Sequence, residues 1–166
     1  DNGQLLSLYS NAYKLTKNDL YKEIIEKTTA FIEKEWFTNL GGFYSALDAD
    51  SNNRENQLEE GAFYVWTTEE LKSLINDDLV FNINDFGHWE HGNYVLIQKE
   101  SLAVISEEQN ISLDQLKLKK KNWEKTLYHY REKRPKPRLD DKCLTSWNAI
   151  MLKGFVESFK ALENEN

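Results

Sequence analysis

The chain has 166 residues, long enough for a domain with a hydrophobic core, and a formal net charge of −7 at pH 7. This acidic composition disfavours a nucleic-acid-binding protein, and no segment approaches the roughly 20 apolar residues of a membrane span. Cys143 is the only cysteine, so an internal disulfide bond is excluded. We therefore expect a cytoplasmic protein that binds neither nucleic acid nor a membrane.

The chain opens with two predicted helices. The first has an apolar face at helical spacing, formed by Leu5, Leu8, Tyr9, Ala12 and Leu15. A short polar break follows, with Asn18 as the expected N-cap of a second helix that reaches about Trp36. Together the two predict an antiparallel αα-hairpin with a short loop. Since almost nothing precedes the first helix, we also expect the chain to be a piece of a larger protein.

Residues 41–66 interleave aromatic residues with carboxylates. Two aromatic-rich runs, 43–47 and 62–66, each follow a glycine and predict the strands of a two-stranded ribbon. The polar loop between them contributes three candidate catalytic acids: Asp48, Asp50 and Glu60. Carbohydrate sites combine acids for proton transfer with flat rings for stacking, so this ribbon is a candidate sugar site. The alternative is a solvated acidic hairpin above a small aromatic core.

Residues 67–96 combine a helix start with a compact polar segment. Thr67 and Glu70 have the spacing of a capping box and predict a short helix to about Ile75. Two histidines and a carboxylate lie close together in the segment 87–96, at His88, Glu90 and His91. Their spacing matches no established set of metal ligands, so we predict no metal site.

A long basic helix is predicted next. A short helical pattern covers 101–109, and Ser112 has the position of an N-cap for a helix to about Arg134. From Lys117 to Arg138 there are ten Lys or Arg against two Glu. No nucleic-acid motif accompanies this run, and acidic segments of the same protein could balance its charge.

The segment 139–149 opens a final helix that extends to about Leu162. Asp140 and Asp141 precede Trp147 and Asn148, an arrangement of carboxylates, indole and amide that could bind a polyol. The alternative is that one aspartate caps the helix and Trp147 packs in the core. The predicted apolar face of this helix consists of Ile150, Phe155, Phe159 and Leu162.

Four runs occur in a fixed order: GGFYSALDADS, EGAFYVWTTEEL, GHWEHGNYVL and RPKPRLDDKCLTSWNAIM. Their order and separations resemble the YyaL family, to which the spermatogenesis-associated thioredoxin-like proteins of animals belong. The resemblance covers nearly the whole chain. It implies a fragment of a large helical region, with a thioredoxin-like domain elsewhere in the parent protein. Because the family usually has an apolar residue at the position of Cys143, we do not expect a redox centre there.

The resemblance also implies a fold. The helical region is similar to the (α/α)6 toroid of six-hairpin glycosidases and N-acylglucosamine 2-epimerase-like proteins. We therefore expect a mainly α fold over residues 1–166, built from αα-hairpins of a partial toroid, with a small β-ribbon insertion at about 41–97. Only about two to three of the six hairpins would be present, so much apolar surface would be uncovered. The isolated chain is then expected to self-associate or to be marginally stable, and to be inactive.

The leading functional hypothesis is a sugar-binding or sugar-processing cleft, glycosidase-like or epimerase-like, without a cofactor. Its candidate catalytic residues are Asp48, Asp50, Glu60, Asp140 and Asp141. Its candidate substrate-binding residues are Tyr64, Trp66, Trp89, Trp147 and Asn148. The competing hypothesis is a non-catalytic scaffold that presents clients to the thioredoxin-like domain.

Overall fold

The computed structural model describes residues 1–162, except for the side chains of Asn82, Ile83 and Phe86. In chain order the helices are α1 (Asn2–Thr16), α2 (Asp19–Glu35), α3 (Thr68–Leu74), α4 (Leu79–Ile83), α5 (Leu102–Glu108), α6 (Leu113–Arg131) and α7 (Thr145–Leu162). The strands are β1 (Ala46–Leu47), β2 (Asp50–Asn52), β3 (Leu58–Glu60), β4 (Asn84–His88), β5 (Tyr94–Gln98) and β6 (Leu139–Asp140). The expected mainly helical fold is confirmed.

The described chain forms two compact units. Unit 1 contains residues 1–48 and the segment from Leu139 onward, and unit 2 contains residues 49–138. Strands pair in three antiparallel ribbons, β1 with β6 in unit 1, and β2 with β3 and β4 with β5 in unit 2. Among the described residues, no helix is both long enough and apolar enough to cross a membrane.

Unit 1 is built on a close contact between α1 and α7. Gly3 of α1 meets Gly154 of α7, where a Cβ added to Gly154 would lie 2.6 Å from the carbonyl oxygen of Gly3. Farther along the same contact, the buried hydroxyl groups of Ser10 and Ser158 lie 3.3 Å apart and form a hydrogen bond. Small residues therefore let the two helix backbones approach each other, and α2 packs beside them through a core of Leu6, Ile25, Ile32 and Met151.

The predicted apolar faces of α1 and α7 are confirmed only in part, since Tyr9, Phe155 and Leu162 pack against the core of unit 1. Leu5, Leu8 and Leu15 of α1 are exposed, and so are Ile150 and Phe159 of α7. The buried positions are instead those of the close contact, which includes glycine and serine as well as Leu6 and Met151. A pattern that counts only large apolar residues misses a helix face that packs through small ones.

Unit 2 has its own hydrophobic core. Residues from α4, α5, α6 and the end of α3 form it, namely Ile75, Val80, Ile105, Leu116 and Trp123. An ion pair between Lys119 of α6 and Asp77 joins the basic helix to the acidic segment before α4. At least part of the basic run is thus balanced inside the unit.

Local start signals for the helices are confirmed. Asn18 Oδ1 accepts the Leu20 N–H at 2.9 Å, and the reciprocal capping box of Thr67 and Glu70 is present. The hydroxyl groups of two further N-cap residues, Ser101 and Ser112, each accept a backbone N–H of the first turn. These caps depend on neighbours two or three residues away, which is why a sequence pattern finds them.

The ribbon predicted from runs 43–47 and 62–66 is wrong. The acidic loop between them itself forms the β2–β3 hairpin, with Ser51 opposite Glu59, whereas β1 pairs with β6. At Gly61, where φ is +74°, the chain leaves β3 and turns through 61–64, and Trp66 then forms an isolated antiparallel bridge with Tyr94. This φ value lies in the left-handed region that glycine adopts most readily.

Candidate functional site

Unit 2 contains an open cleft of about 820 Å³. Its walls come from the β2–β3 hairpin, the start of α3, the turn before β5 and the end of α6. We call it the hairpin cleft and define it by six polar lining residues: Arg54, Glu59, Glu70, Asn93, Lys133 and Arg134. The cleft brings these positions together from four separate stretches of sequence.

Arg134 organises one wall of the hairpin cleft. Its Nη1 donates to three backbone carbonyl oxygens, those of Ala62 (3.4 Å), Phe63 (3.0 Å) and Val65 (2.6 Å). The guanidinium also lies over the ring of Trp66, with its central carbon 4.3 Å from the ring centroid. Since a guanidinium has five N–H donors in a planar fork, one side chain can bind several acceptors of a turn at once. The turn at 62–66 is therefore built around Arg134.

Glu70 is the acidic partner of this arginine. Its Oε1 accepts from Arg134 Nη2 at 3.1 Å and also pairs with Arg54, and its Oε2 accepts the Thr67 N–H at 3.1 Å. Burial lowers the pKa of Arg134, and the charge of Glu70 opposes that shift. A guanidinium stays protonated at neutral pH even so, which keeps the pair charged. Oε1 of Glu70 thus joins α3 to the two arginines, while Oε2 caps the start of α3 itself.

Glu59 is a second carboxylate of the hairpin cleft and has different partners. Its Oε2 accepts from Asn53 Nδ2 at 2.7 Å, and its Oε1 accepts from Asn93 Nδ2 at 3.4 Å. Asn53 is itself fixed, because its Oδ1 accepts the backbone N–H groups of Glu55 and Gln57 across the hairpin turn. Neutral amides therefore orient the half-buried Glu59 carboxylate.

Of the two neighbouring glutamates of β3, Glu59 lines the cleft and Glu60 does not. Successive side chains of a strand point to opposite faces, so two neighbouring glutamates cannot share one face. Glu60 is exposed, and its carbonyl oxygen accepts from Trp89 Nε1 at 3.1 Å.

None of the ten residues proposed from the sequence lines the hairpin cleft. Five of them belong to unit 1: Asp48, Asp140, Asp141, Trp147 and Asn148. The other five belong to unit 2: Asp50, Glu60, Tyr64, Trp66 and Trp89. Their roles in catalysis or binding stay predictions.

The three aromatic candidates of unit 2 differ in access. Trp66 is 6% exposed and lies beneath the guanidinium of Arg134, so its ring already has a packing partner. Tyr64 is half-buried, with the guanidinium of Arg131 5.4 Å from its ring centroid. Trp89 is 38% exposed and packs one edge of its ring against Gly61. Of the three, Trp89 has the most open ring.

In unit 1, Asn148 joins the start of α7 to the segment before β1. Its Oδ1 accepts the Phe43 N–H at 2.7 Å, and its Nδ2 donates to the Phe43 carbonyl at 2.9 Å.

Asp140 lies in β6 and forms an ion pair with Lys142 at 3.1 Å. Because α7 begins at Thr145, neither Asp140 nor Asp141 caps it. Trp147 is 53% exposed, so the alternative of a core position for this residue is wrong.

Sequence reasoning missed most of the hairpin cleft. In the sequence, Lys133 and Arg134 stand out only as charges of the basic run and Asn93 only as part of a polar segment, and no pattern singles out Arg54. One signal was available for Glu59, because a hairpin within the loop would have placed it on the face opposite Glu60. No local signal joins Arg134 to residues 62–65, which lie about 70 positions earlier.

The chain is similar over nearly its whole length to several curated proteins. It is 27% identical to spermatogenesis-associated protein 20 of Mus musculus over 99% of its length, and 28% identical to the protein of that name in Homo sapiens over 94%. It is 34% identical to the uncharacterized protein B0495.5 of Caenorhabditis elegans over 98%. The chain spans about a quarter of the length of these relatives, 24%, 23% and 26% respectively. No family model matches it. The family resemblance of its four motifs is confirmed.

Proposed function

We propose that the hairpin cleft binds sugar. The chain belongs to the family of spermatogenesis-associated protein 20, and in this proposal it forms part of a carbohydrate-binding or carbohydrate-processing helical toroid. The observation that carries the proposal is the Glu59 carboxylate, oriented by Asn53 and Asn93 in an open cleft. The cleft volume of about 820 Å³ lies in the range of small-molecule sites.

The hydrogen-bonding groups around Glu59 suit a polyol. An ionised carboxylate has about four acceptor positions, and only one contact is made to each Glu59 oxygen by the neighbouring amides. Sugar hydroxyls both donate and accept, so they can donate to the remaining carboxylate positions and accept from amide N–H groups. Because its amide partners fix Glu59 before a ligand arrives, little side-chain ordering would accompany binding.

Binding is better supported than hydrolysis in this cleft. Hydrolysis of a glycosidic bond requires a pair of carboxyl groups, one of which donates a proton. Glu70 is engaged by two guanidinium groups and a backbone N–H, so it is poorly placed to act as a general acid. The third carboxylate of the lining, Glu55, is exposed on the hairpin turn, whereas the general acid of a glycosidase is typically shielded from solvent. The sequence candidates Asp48, Asp140 and Asp141 remain predictions for catalysis elsewhere in the parent toroid.

Replacing Glu59 by glutamine is expected to weaken sugar binding about tenfold or more, because a charged acceptor becomes a neutral amide of the same shape. The measurement is calorimetric titration of the chain with a panel of neutral mono- and disaccharides. The matched control is Glu60→Gln, which makes the same chemical change on the opposite face of β3. If no member of the panel binds at millimolar concentration, or if only Glu60→Gln weakens binding, the proposed site is wrong.

A specific observation also favours a second candidate function, a non-catalytic interaction scaffold. Several large apolar side chains on one side of α7 are exposed, namely Leu152, Val156 and Phe159. Exposed apolar residues that follow one helix are typical of a surface that another protein segment covers. We propose that such a surface would hold clients or the thioredoxin-like domain implied by the family resemblance.

The exposed face of α7 leads us to expect that the isolated chain self-associates at low micromolar concentration. Sedimentation velocity should show a species larger than the monomer, and 8-anilinonaphthalene-1-sulfonate should become fluorescent in its presence. Replacing Leu152 and Val156 by lysine should shift the chain toward the monomer, whereas the same change at the exposed polar residue Asn122 of α6 should not. A compact monomer without dye binding would contradict this prediction.

A further inference from the structure

We propose that the ligand of the hairpin cleft is an acidic sugar, whose carboxylate or phosphate group is bound by Arg54 and Lys133. This inference rests on the proposed function and adds the chemical class of the ligand. It follows from the positions of two exposed cations in the cleft lining and from those of their donors that have no acceptor among the described residues.

Two positively charged side chains contact the Glu70 carboxylate. Arg134 and Arg54 both pair with its Oε1, so two guanidinium groups share one carboxylate oxygen. Arg134 is held from the other side by three backbone carbonyls and is largely buried. The Arg54 side chain is 67% exposed, against 9% for Glu70. Glu70 is therefore already neutralised by a buried partner, and Arg54 is a second, exposed cation at the cleft surface, where the exposed carboxylate of Glu55 also lies.

Arg54 has N–H donors that its contact with Glu70 does not use. A guanidinium has five N–H groups, and Arg54 uses Nη2 to contact Glu70. Among the described residues, its remaining donors have no acceptor. A carboxylate or phosphate matches the planar fork of an arginine and forms short, charge-assisted hydrogen bonds with it. Arg54 can therefore bind an acidic group without giving up its place on the hairpin.

Lys133 supplies a second cation to the same lining. It is exposed, it follows α6 directly, and within the described part of the chain its ammonium group has no ion-pair partner. An ammonium group with three free donors acts as a point charge for a phosphate or carboxylate. Arg54 and Lys133 come from separate elements, so their presence in one cleft does not arise from a single basic run.

Glu59 and the side-chain amides of Asn53 and Asn93 determine the orientation of the ligand in the cleft. A carboxylate repels a second anion, so the acidic group of the ligand would lie toward Arg54 and Lys133. The hydroxyl groups would lie toward Glu59 and Asn93, where acceptors and amide donors are available. The cleft thus has different chemistry for the two kinds of group that an acidic sugar carries.

The test titrates the 166-residue chain with matched sets of ligands: glucose, galactose and mannose, each with its uronate and its phosphate ester. We expect the uronate or the phosphate ester of at least one hexose to bind about tenfold tighter than the neutral sugar. Comparison of those two ligands identifies the acidic group. Inorganic phosphate alone should bind more weakly than the phosphate ester, because it makes no contact with Glu59.

Variants assign the effect to the two cations. Arg54→Gln and Lys133→Gln should each weaken binding of the acidic sugar about tenfold and change binding of the neutral sugar less than about twofold. Lys72→Gln, which removes an exposed charge of α3 outside the cleft lining, should change neither. Arg54 and Lys133 are both exposed, so the folded state should tolerate their substitution.

The outcomes separate this inference from the proposed function. If neutral sugars bind as tightly as their acidic forms, the cleft binds sugar and the inference is wrong. Equal binding of inorganic phosphate and the phosphate ester would mean that the site recognises an anion and not a sugar, which also overturns it. If no sugar of any set binds, both the inference and the proposed function are wrong.

Discussion

Replacing Arg134 by methionine is expected to lower the free energy of unfolding of unit 2 by about 2–4 kcal/mol. The substitution keeps much of the volume over Trp66 but removes the donor to the carbonyls of Ala62, Phe63 and Val65. It also takes away the buried partner of Glu70. Arg54 still pairs with Glu70, so the loss should be smaller than that for a fully isolated buried charge. Urea denaturation followed by tryptophan fluorescence measures the change.

Two further variants separate the network from a general loss of positive charge. Lys72→Met removes an exposed lysine of α3 and should change stability by less than about 0.5 kcal/mol. Combining Glu70→Gln with Arg134→Met should cost less than the sum of the two single changes, because both act on one ion pair. If Arg134→Met is as stable as the unsubstituted chain, Arg134 does not organise the 62–66 turn.

Gly154→Ala is expected to destabilise unit 1 by about 1–3 kcal/mol, although alanine favours a helix over glycine by about 1 kcal/mol. The added methyl group would lie 2.6 Å from the carbonyl oxygen and 3.0 Å from the Cα of Gly3. These are backbone atoms, so α1 and α7 must move apart to make room. That movement would also disturb the buried hydrogen bond between Ser10 and Ser158. Thermal unfolding followed by circular dichroism reports the loss.

The control for this prediction adds bulk to α7 away from the contact. Ala149 is exposed, so Ala149→Val should cost only the smaller helix preference of valine, about 0.5 kcal/mol. A rise in melting temperature for Gly154→Ala would show that helix preference outweighs packing, and would contradict the close approach of α1 and α7.

Several parts of the fold could be predicted because their causes are local. Asn18, Thr67 and Ser112 cap helices through contacts within three residues, and their side-chain types state that role directly. The family resemblance was predictable for a different reason, since four ordered motifs identify it without any knowledge of the packing. Helix caps and family motifs can therefore be recognised in the sequence even when the tertiary contacts of a segment are unknown.

The candidate site could not be predicted in the same way, because its causes are distant in sequence. Aromatic residues at 62–66 favour a strand, but Arg134 binds their carbonyls and holds them in a turn. The sequence hypothesis names Glu60 as a catalytic candidate, whereas Glu59 is the one of the two that lines the cleft. The predicted apolar faces of α1 and α7 failed in part for a similar reason. Gly3 and Gly154 contribute to packing only because the two helices meet at these residues, and the two lie far apart in the sequence.

Two-dimensional amide NMR of the labelled chain, recorded during titration with the tightest-binding sugar, shows directly whether the hairpin cleft is a ligand site. We expect chemical-shift changes to concentrate in the cleft segments 52–59, 91–93 and 130–135, and to disappear in Glu59→Gln. Shift changes confined to residues 139–148, around the sequence candidates Asp140, Asp141 and Trp147, would contradict the claim and place the sugar in unit 1.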